Sequence, residues 1–364
     1  MRCRKELEKI KGYQPGKPIE EVKRMLKLDE VYKLASNEIP FSPSYIRKVV
    51  TSEIKNINRY PESGSFYLRK ALASKLKVKE DQLIFGNGSD ELITLSLRAF
   101  VNPGEEVVVA YPTFLIYEMQ AKIQGARIRR VPLKKCCYCL DDMAKKVNKK
   151  TKIIFIANPD NPTGTYLTHS EVKDFLKKIP DTVLVFFDEA YFEFAPDDRA
   201  RTLDLLKLRK NILITRTFSK AYGLAGLRIG YGVANIQIAL ILNKIREPFN
   251  INRFAQVAAV EALKNKLFLQ KVIKHADKEK KYLYCQLKKL GIYFTKSATN
   301  FILVDFKTET SFLCDYLLKN GIIIRELKGW GLTNFFRVTV GYHNENKKFI
   351  KHLERYLAQK GGSQ

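Results

Sequence analysis

The sequence has no long apolar run. Its longest candidates, Ile153–Ala157 and Val183–Phe187, have the length of strands, whereas a membrane-spanning helix needs about 18 apolar residues or more. The first residues, Met1–Glu6, are charged and contain no apolar signal core. Internal repeats and low-complexity tracts are absent as well. We therefore expect no membrane association and a cytoplasmic location.

Cysteine is also scarce, with six residues in 364. A small secreted domain would carry a denser and more regular cysteine framework. Three of the six lie together in the segment Cys136–Cys139. A zinc site needs four ligands, usually in two separated pairs, and no second pair or nearby histidine supplies the others. We predict no metal site and interpret this segment as an irregular strand end or turn.

Acidic residues are outnumbered, because 38 Asp and Glu stand against 65 Lys and Arg and leave a net charge of +27. Such a charge can indicate nucleic-acid binding. The lysines are spread along the chain, however, and runs such as Lys145–Lys150 and Lys278–Lys281 are typical of solvated helix faces. We favour a lysine-rich surface that attracts an anionic substrate. The alternative, a nucleic-acid-binding protein or a regulator without catalysis, predicts salt-sensitive DNA binding.

The length and the 45% hydrophobic content suit one large domain and a smaller one. From residue 83 to residue 234 strand patterns alternate with helix patterns, which predicts a largely parallel sheet covered on both faces. Ligands of such sheets bind at the carboxyl ends of the strands. The predicted strands are 83–85, 106–110, 127–132, 152–157, 183–187, 212–215 and 228–234, and the predicted helices are 19–28, 67–76, 90–100, 113–124 and 169–178.

The pattern changes towards the C-terminus, where short strands surround one helix. This change predicts a second, α+β domain. Its predicted elements are helix 253–268, continued by a charged helix to about residue 290, strands 301–306, 322–325 and 335–340, and helix 311–320. The predicted domains are an N-terminal arm at 1–40 that packs on the small domain, a large domain at 41–250 and a small domain at 251–364.

A lysine stands just after a predicted buried strand, in the segment Thr217–Arg228. Its surroundings are small and apolar, and desolvation lowers the pKa of a lysine and frees the amine to attack a carbonyl. Ser219 and Arg228 are in reach of the same loop, and both suit a phosphate, which arginine binds bidentately. This segment predicts that Lys220 is a covalent catalytic residue.

Two further loops follow predicted strands. Phe85–Glu91 is a glycine-containing turn before a helix, where exposed N–H groups bind phosphate, although Asp90 could instead cap that helix. The prolines of Asn158–Gly164 fix a turn that presents Asn161. Either loop alone is weak evidence, because ordinary strand-to-helix loops have the same composition.

A carboxylate ends the apolar strand Val183–Phe187. Burying Asp188 is costly unless a cation pairs with it. A protonated pyridine nitrogen would be such a cation, and the ion pair would keep the ring an electron sink. We therefore assign Asp188 as the partner of a pyridine nitrogen.

In order and spacing these four segments resemble the fold type I aminotransferases, which depend on pyridoxal phosphate (PLP). The resemblance runs from about Gly12 to Tyr356 and is strongest to the histidinol-phosphate aminotransferases of that family. It implies an α/β large domain with a mostly parallel seven-stranded sheet, and a smaller α+β domain. The supporting segments are Gly12–Pro18, Leu34–Glu38, Asn58–Pro61, Pro248–Asn252 and Arg337–Gly341.

The same resemblance implies a role for each site residue. Lys220 carries the Schiff base and moves the substrate proton, Asp188 holds the ring nitrogen, and Tyr191 completes the catalytic set. The residues that the resemblance assigns to the cofactor are Gly88, Ser89, Asp90, Ser219 and Arg228 at the phosphate, Phe114 stacked on the ring, Asn161 and Tyr191 at the ring oxygen, and Tyr60 at the phosphate of the neighbouring subunit. Those assigned to the substrate are Tyr13, Asn37, Arg325 and Arg337.

The resemblance further implies a homodimer with shared active sites and a place in histidine biosynthesis. Its substrates would be histidinol phosphate and glutamate or 2-oxoglutarate, with no nucleic acid and no membrane as partner. Three departures bear on substrate identity: Ile39 in place of an asparagine, the segment Lys135–Leu140, and Tyr342-His343. A threonine-phosphate decarboxylase and an aromatic-amino-acid aminotransferase of the same fold stay as alternatives.

Overall fold

The computed structural model describes residues 3–4, 6–8, 10, 12 and 14–361, with side chains through Gln359. Thirteen strands lie in these ranges. In chain order they are β1 (Tyr32–Lys33), β2 (Leu83–Gly86), β3 (Glu106–Tyr111), β4 (Arg127–Pro132), β5 (Thr151–Ala157), β6 (Leu184–Asp188), β7 (Ile212–Thr217), β8 (Gly230–Ala234), β9 (Tyr293–Phe294), β10 (Phe301–Asp305), β11 (Ile322–Ile323), β12 (Arg325–Glu326) and β13 (Phe335–Thr339).

Thirteen α-helices accompany the strands in the described ranges. They are α1 (Ile19–Leu26), α2 (Arg47–Glu53), α3 (Phe66–Leu76), α4 (Ser89–Phe100), α5 (Leu115–Ile123), α6 (Leu140–Lys145), α7 (His169–Lys177), α8 (Thr202–Leu206), α9 (Ile236–Ile245), α10 (Arg253–Lys264), α11 (Lys266–Lys289), α12 (Ser311–Lys319) and α13 (His343–Gly361). None of the helices in the described part of the chain is long and apolar enough to cross a membrane.

The large sheet has seven strands in the order β2-β8-β7-β6-β5-β3-β4. Strands β7, β6, β5, β3 and β4 run parallel, and β8 and β2 join antiparallel at one edge. The central strands are buried on both faces because helices pack on each side, which explains their continuous apolar sequence. The predicted α/β fold with a mostly parallel seven-stranded sheet is confirmed. Its carboxyl edge collects the polar ends of β5, β6 and β7.

The small sheet has four antiparallel strands in the order β12-β13-β10-β9. Its apolar side packs on α11, α12 and α13 through a separate core. Strand β1 of the N-terminal segment pairs parallel with β11, and Leu34 packs in the small-sheet core. The domain boundaries at residues 40 and 250 stay a prediction.

Two predicted elements were wrong in detail. The predicted strand 322–325 is two strands, β11 and β12, which belong to different sheets. The predicted helix 253–268 ends at Lys264, because the side chain of Asn265 accepts a hydrogen bond from the backbone N–H of Phe268 at 3.0 Å and begins α11 there. The helices α2, α6, α8, α9 and α13 were not assigned individually from the sequence.

Candidate active site

One cavity of about 310 Å³ lies where the carboxyl edge of the large sheet faces the small sheet. The ends of three parallel strands form its floor, through Ala157, Asp188 and Thr217. The predicted site residues that line it are Asn37, Gly88, Ser89, Asp90, Phe114, Asn161, Asp188, Tyr191, Ser219, Lys220, Arg228, Arg325 and Arg337. The structure thus brings thirteen of the fifteen predicted site residues to one place.

Two predicted residues are not in that cavity. Tyr60 is 78% exposed and stacks on Phe249, with ring centroids 4.7 Å apart. Tyr13 lies outside the described residues. The role of each stays a prediction.

Asp188 is a buried carboxylate in the cavity floor. It is 5% exposed and accepts hydrogen bonds from the Tyr117 hydroxyl at 2.7 Å and from the backbone N–H of Ala190 at 3.1 Å. Burial raises the pKa of Asp188 to about 6, and the Tyr117 hydrogen bond opposes that rise. Both of these hydrogen-bond donors are neutral. Burial of the charged carboxylate therefore stays unfavourable until a cation pairs with it.

Lys220 follows β7 on a tightly held loop. Its backbone carbonyl accepts from the N–H of Gly223 at 2.9 Å, and its neighbours Ser219 and Ala221 are buried. The Nζ amine points to the cavity, where it donates to the Ser36 carbonyl at 3.3 Å and lies 5.6 Å from the centre of the Tyr191 ring. The amine therefore lies in the same cavity as the arginines of the small sheet.

The N-terminus of α4 and the loop after β7 together form a cradle for an anion. Helix α4 has twelve residues, and no described side chain caps its first turn, so the first N–H groups face the cavity with the positive end of the helix dipole. The Arg228 guanidinium lies 3.6 Å from Asp90 and 3.4 Å from Ser219 Oγ. Gly88 has a φ of +76°, and a Cβ there would lie 2.5 Å from Arg228 Nη2. A glycine is required for this close approach.

Asn161 and Tyr191 project from neighbouring strand ends. The Tyr191 hydroxyl accepts from the Asn37 side-chain amide at 2.8 Å, and burial raises the pKa of Tyr191 to about 12. Asn161 accepts from the guanidinium of Arg337. Both side chains are therefore fixed by partners from the N-terminal segment and the small sheet, and both reach the same cavity.

Two arginines of the small sheet form the opposite wall. Arg325 and Arg337 are directly paired across β12 and β13. Arg337 is buried and donates to the Ala35 carbonyl at 2.8 Å, whereas the half-buried Arg325 donates to the Gln14 carbonyl at 2.8 Å. The Arg325 guanidinium lies 5.1 Å from the centre of the Trp330 ring. Two adjacent guanidinium groups make this wall an anion-binding surface.

The lining residues that sequence reasoning missed include Tyr117, Trp330 and Lys33. Tyr117 lies in the first turn of α5, three residues after Phe114, which is the N-cap residue of that helix. No sequence signal indicated Trp330. Lys33 lines the cavity and pairs with Glu38 at 3.1 Å. Among the described residues, no group of three metal-ligating side chains is placed to hold a metal ion.

The sequence profile described as aminotransferase class I and II matches residues 29–353. The chain belongs to this family. It is 41% identical to a histidinol-phosphate aminotransferase of Carboxydothermus hydrogenoformans, over 97% of this chain and 99% of that protein. A histidinol-phosphate aminotransferase from Sinorhizobium meliloti, solved with pyridoxal-5'-phosphate, superposes with a TM-score of 0.89 at 27% identity over 96% of each chain. A threonine-phosphate decarboxylase from Porphyromonas gingivalis gives a TM-score of 0.80 at 25% identity, over 90% of this chain and all of that one.

PLP is the cofactor of this family, and the cavity has the groups that it needs. The buried carboxylate of Asp188, whose described donors are neutral, suits a pyridinium nitrogen. The cradle at Gly88, Ser219 and Arg228 suits a phosphate. The amine of Lys220 lies in the same cavity and suits the aldehyde. The chain is therefore a PLP-dependent aminotransferase.

Proposed function

We propose that this enzyme exchanges the amino group between histidinol phosphate and 2-oxoglutarate, forming imidazole-acetol phosphate and glutamate in histidine biosynthesis. The observation that carries the proposal is the near-full-length similarity to histidinol-phosphate aminotransferases at 41% identity. The cavity supports it, because a lysine and a buried carboxylate face two paired arginines across a single space.

When bound, the cofactor supplies an electron sink for the bond that breaks at the substrate carbon. The Lys220 amine would then be the base that takes the proton from the α-carbon of the bound substrate. The 3.3 Å hydrogen bond to the Ser36 carbonyl orients the amine towards the cavity. Proximity would supply much of the rate, because the Lys220 amine and the bound substrate carbon would share one cavity.

Asp188 would keep the ring nitrogen of the bound cofactor protonated. Its own pKa is raised to about 6 by burial, and a cation at hydrogen-bond distance would restore the charged carboxylate at neutral pH. Tyr117 holds the second carboxylate oxygen at 2.7 Å and fixes the direction of the first. The Asp188 carboxylate is thus oriented before substrate enters.

Arg337 and Arg325 are proposed to bind the anionic ends of both substrates. A phosphate ester and a dicarboxylate differ in size but share this charge, so one wall can serve both half-reactions. Arg337 also donates to Asn161. An anion bound to Arg337 would therefore affect the position of Asn161, the residue that we place at the ring oxygen.

The proposal includes a homodimer in which Tyr60 reaches the phosphate of the neighbouring subunit. In support, Tyr60 is 78% exposed and its ring lies flat on Phe249, which is itself 41% exposed, so both present an apolar surface that a partner would cover. A cytoplasmic location is also part of the proposal. All six cysteines are free thiols, as a reducing compartment favours.

A half-reaction tests the substrate. Purified protein loaded with PLP is mixed with histidinol phosphate, phenylalanine or phosphothreonine, and loss of the yellow absorbance is followed. We expect conversion at far lower concentration with histidinol phosphate. Release of carbon dioxide from phosphothreonine without glutamate-dependent transamination would replace this proposal by the decarboxylase, and preference for phenylalanine would replace it by the aromatic enzyme.

A further inference from the structure

The segment with three cysteines is a tight hairpin beside the cavity. Lys134 and Cys137 exchange two backbone hydrogen bonds of 3.0 and 2.9 Å, and the two residues between them have φ values of +51° and +63°. Cys137 is exposed, and Cys136 and Cys139 are partly exposed. The turn therefore leaves its thiols near the surface and sends Tyr138 inward.

The Tyr138 hydroxyl touches three groups from two strand ends. It lies 2.8 Å from Thr113 Oγ1, donates towards Asp160 Oδ1 at 3.1 Å and accepts from the backbone N–H of Ala157 at 3.2 Å. All three partners are at most 4% exposed. Burial raises the pKa of Tyr138 well above its usual range, so the hydroxyl keeps its proton and serves as both donor and acceptor.

Asp160 is fully buried and shares this network. Thr113 Oγ1 donates to it at 2.7 Å, and Thr163 donates its backbone N–H at 3.1 Å and its hydroxyl at 2.8 Å. A buried carboxylate with this many donors is held in one orientation. Thr113 directly precedes Phe114, and Asp160 directly precedes Asn161. The network thus joins the two backbone segments that place these lining residues.

We propose that Tyr138 is a positioning residue that, through Thr113 and Asp160, holds Phe114 and Asn161 in their places against the cofactor. The inference rests on the proposed cofactor contacts of Phe114 and Asn161. It gives the hairpin a function that rests on the Tyr138 hydroxyl and not on the cysteines. No residue of the hairpin itself touches the cofactor, since none of them lines the cavity.

The test is Tyr138→Phe, which removes one oxygen and keeps the ring. Tyr166→Phe is the matched control, because the Tyr166 hydroxyl also donates to an aspartate, Asp198, at 2.9 Å but lies outside the cavity. Three quantities are measured for each: the affinity of the apoprotein for PLP, the pH midpoint of the bound cofactor's absorbance change, and the thermal midpoint of the apoprotein.

For Tyr138→Phe we expect PLP affinity to fall about fivefold to tenfold, the effect of one lost hydrogen bond. The pH midpoint should rise by about 0.5 unit, because a ring oxygen that loses part of its Asn161 hydrogen bond holds the neighbouring proton more strongly. Tyr166→Phe should leave both quantities at the wild-type value. A lower thermal midpoint with an unchanged pH midpoint would overturn the proposal, since a merely structural role predicts that pattern.

Two more variants keep the test decisive. Thr113→Val removes the next hydroxyl in the network at nearly constant shape. If Tyr138→Phe does not fold, we expect the same loss of PLP affinity and the same rise of the pH midpoint in Thr113→Val. Asn161→Ala examines the proposed contact itself. A shifted midpoint in Asn161→Ala beside wild-type values in Tyr138→Phe and Thr113→Val would reject the positioning role alone. An unshifted midpoint in Asn161→Ala would reject the proposed contact and the inference with it.

Discussion

The two ends of the cavity are built differently. The cofactor end is formed by the large sheet, where Asp188 and Tyr117 are buried and joined by a 2.7 Å hydrogen bond. The substrate end is assembled from the N-terminal segment and the small sheet, where Lys33 and Arg325 are only half buried. The first end is fixed by a rigid sheet edge, and the second depends on how separate segments meet. We therefore expect the first end to determine the reaction class and the second to determine substrate choice.

The largest effect should come from the cofactor end. Lys220→Ala removes both the covalent anchor and the proposed base, and kcat for transamination should fall by about a thousandfold or more. Single-turnover conversion of glutamate measures it. Lys152→Ala, which breaks only a surface pair with Glu105, should retain wild-type kcat. Loss of less than tenfold in the Lys220 variant would mean that another group takes the proton.

Asp188→Asn should lower kcat by about a hundredfold or more, because the preorganised charge at the ring nitrogen is lost. The same change should stabilise the apoprotein. The folded pKa of about 6 exceeds the unfolded value of about 4. The native state therefore binds more protons between these values, and its free energy of unfolding falls as pH rises from about 4 to 6.

Above pH 6 the variant apoprotein should therefore be more stable than wild type by about 2 kcal/mol, and the difference should vanish near pH 4. Urea unfolding of both apoproteins at the two pH values measures it. With PLP bound the order should reverse, because the carboxylate then has its cation. A variant that is less stable at every pH would contradict the assignment of an uncompensated charge at Asp188.

The substrate end should respond in KM. Arg337→Ala should raise KM for glutamate about tenfold to a hundredfold, the value of a charge-assisted hydrogen bond. Arg325→Ala should have a smaller effect, because that side chain is more exposed. PLP affinity measured alongside should change little in the Arg325 variant. Near-normal glutamate kinetics in Arg337→Ala would reject the assignment of Arg337 to the substrate anion. The proposed division of the cavity into a cofactor end and a substrate end would then be unsupported.

Tyr60→Phe should give the smallest effect. Its hydroxyl makes no hydrogen bond to the described residues of its own chain, so any change in PLP affinity reports on a partner subunit. We expect a loss of about threefold to tenfold, measured by equilibrium dialysis of the apoprotein. Sedimentation of the same samples shows whether the proposed dimer is present. An unchanged affinity in an intact dimer would remove Tyr60 from the site.

The sequence predicted which residues meet at the cofactor end, because several of them follow buried strands. Lys220 and Asp188 stand directly after β7 and at the end of β6, and parallel strands bring their carboxyl ends together. The role of Tyr117 was missed because its hydrogen-bond partner, Asp188, is 71 residues away in the sequence. The neighbouring residues do not indicate that the hydroxyl of a buried helical tyrosine will donate to a carboxylate. Tyr138 was missed for the same reason, since Thr113 and Asp160 are 25 and 22 residues distant.

The substrate end was harder to predict. Arg325 and Arg337 were found through family resemblance, yet their direct pairing depends on a break between β11 and β12 that the apolar run 322–324 conceals. The path of the N-terminal segment also required tertiary structure, because a two-residue strand has no periodicity to detect.

Trp330 is the only tryptophan in the chain. It is 3% exposed in the cavity wall, beneath the guanidinium of Arg325. The intrinsic indole fluorescence of the protein therefore arises entirely in this cavity wall, next to a guanidinium that we propose binds the substrate anion. We therefore expect the fluorescence of Trp330 to change when substrate binds, so that binding can be titrated in solution without a label.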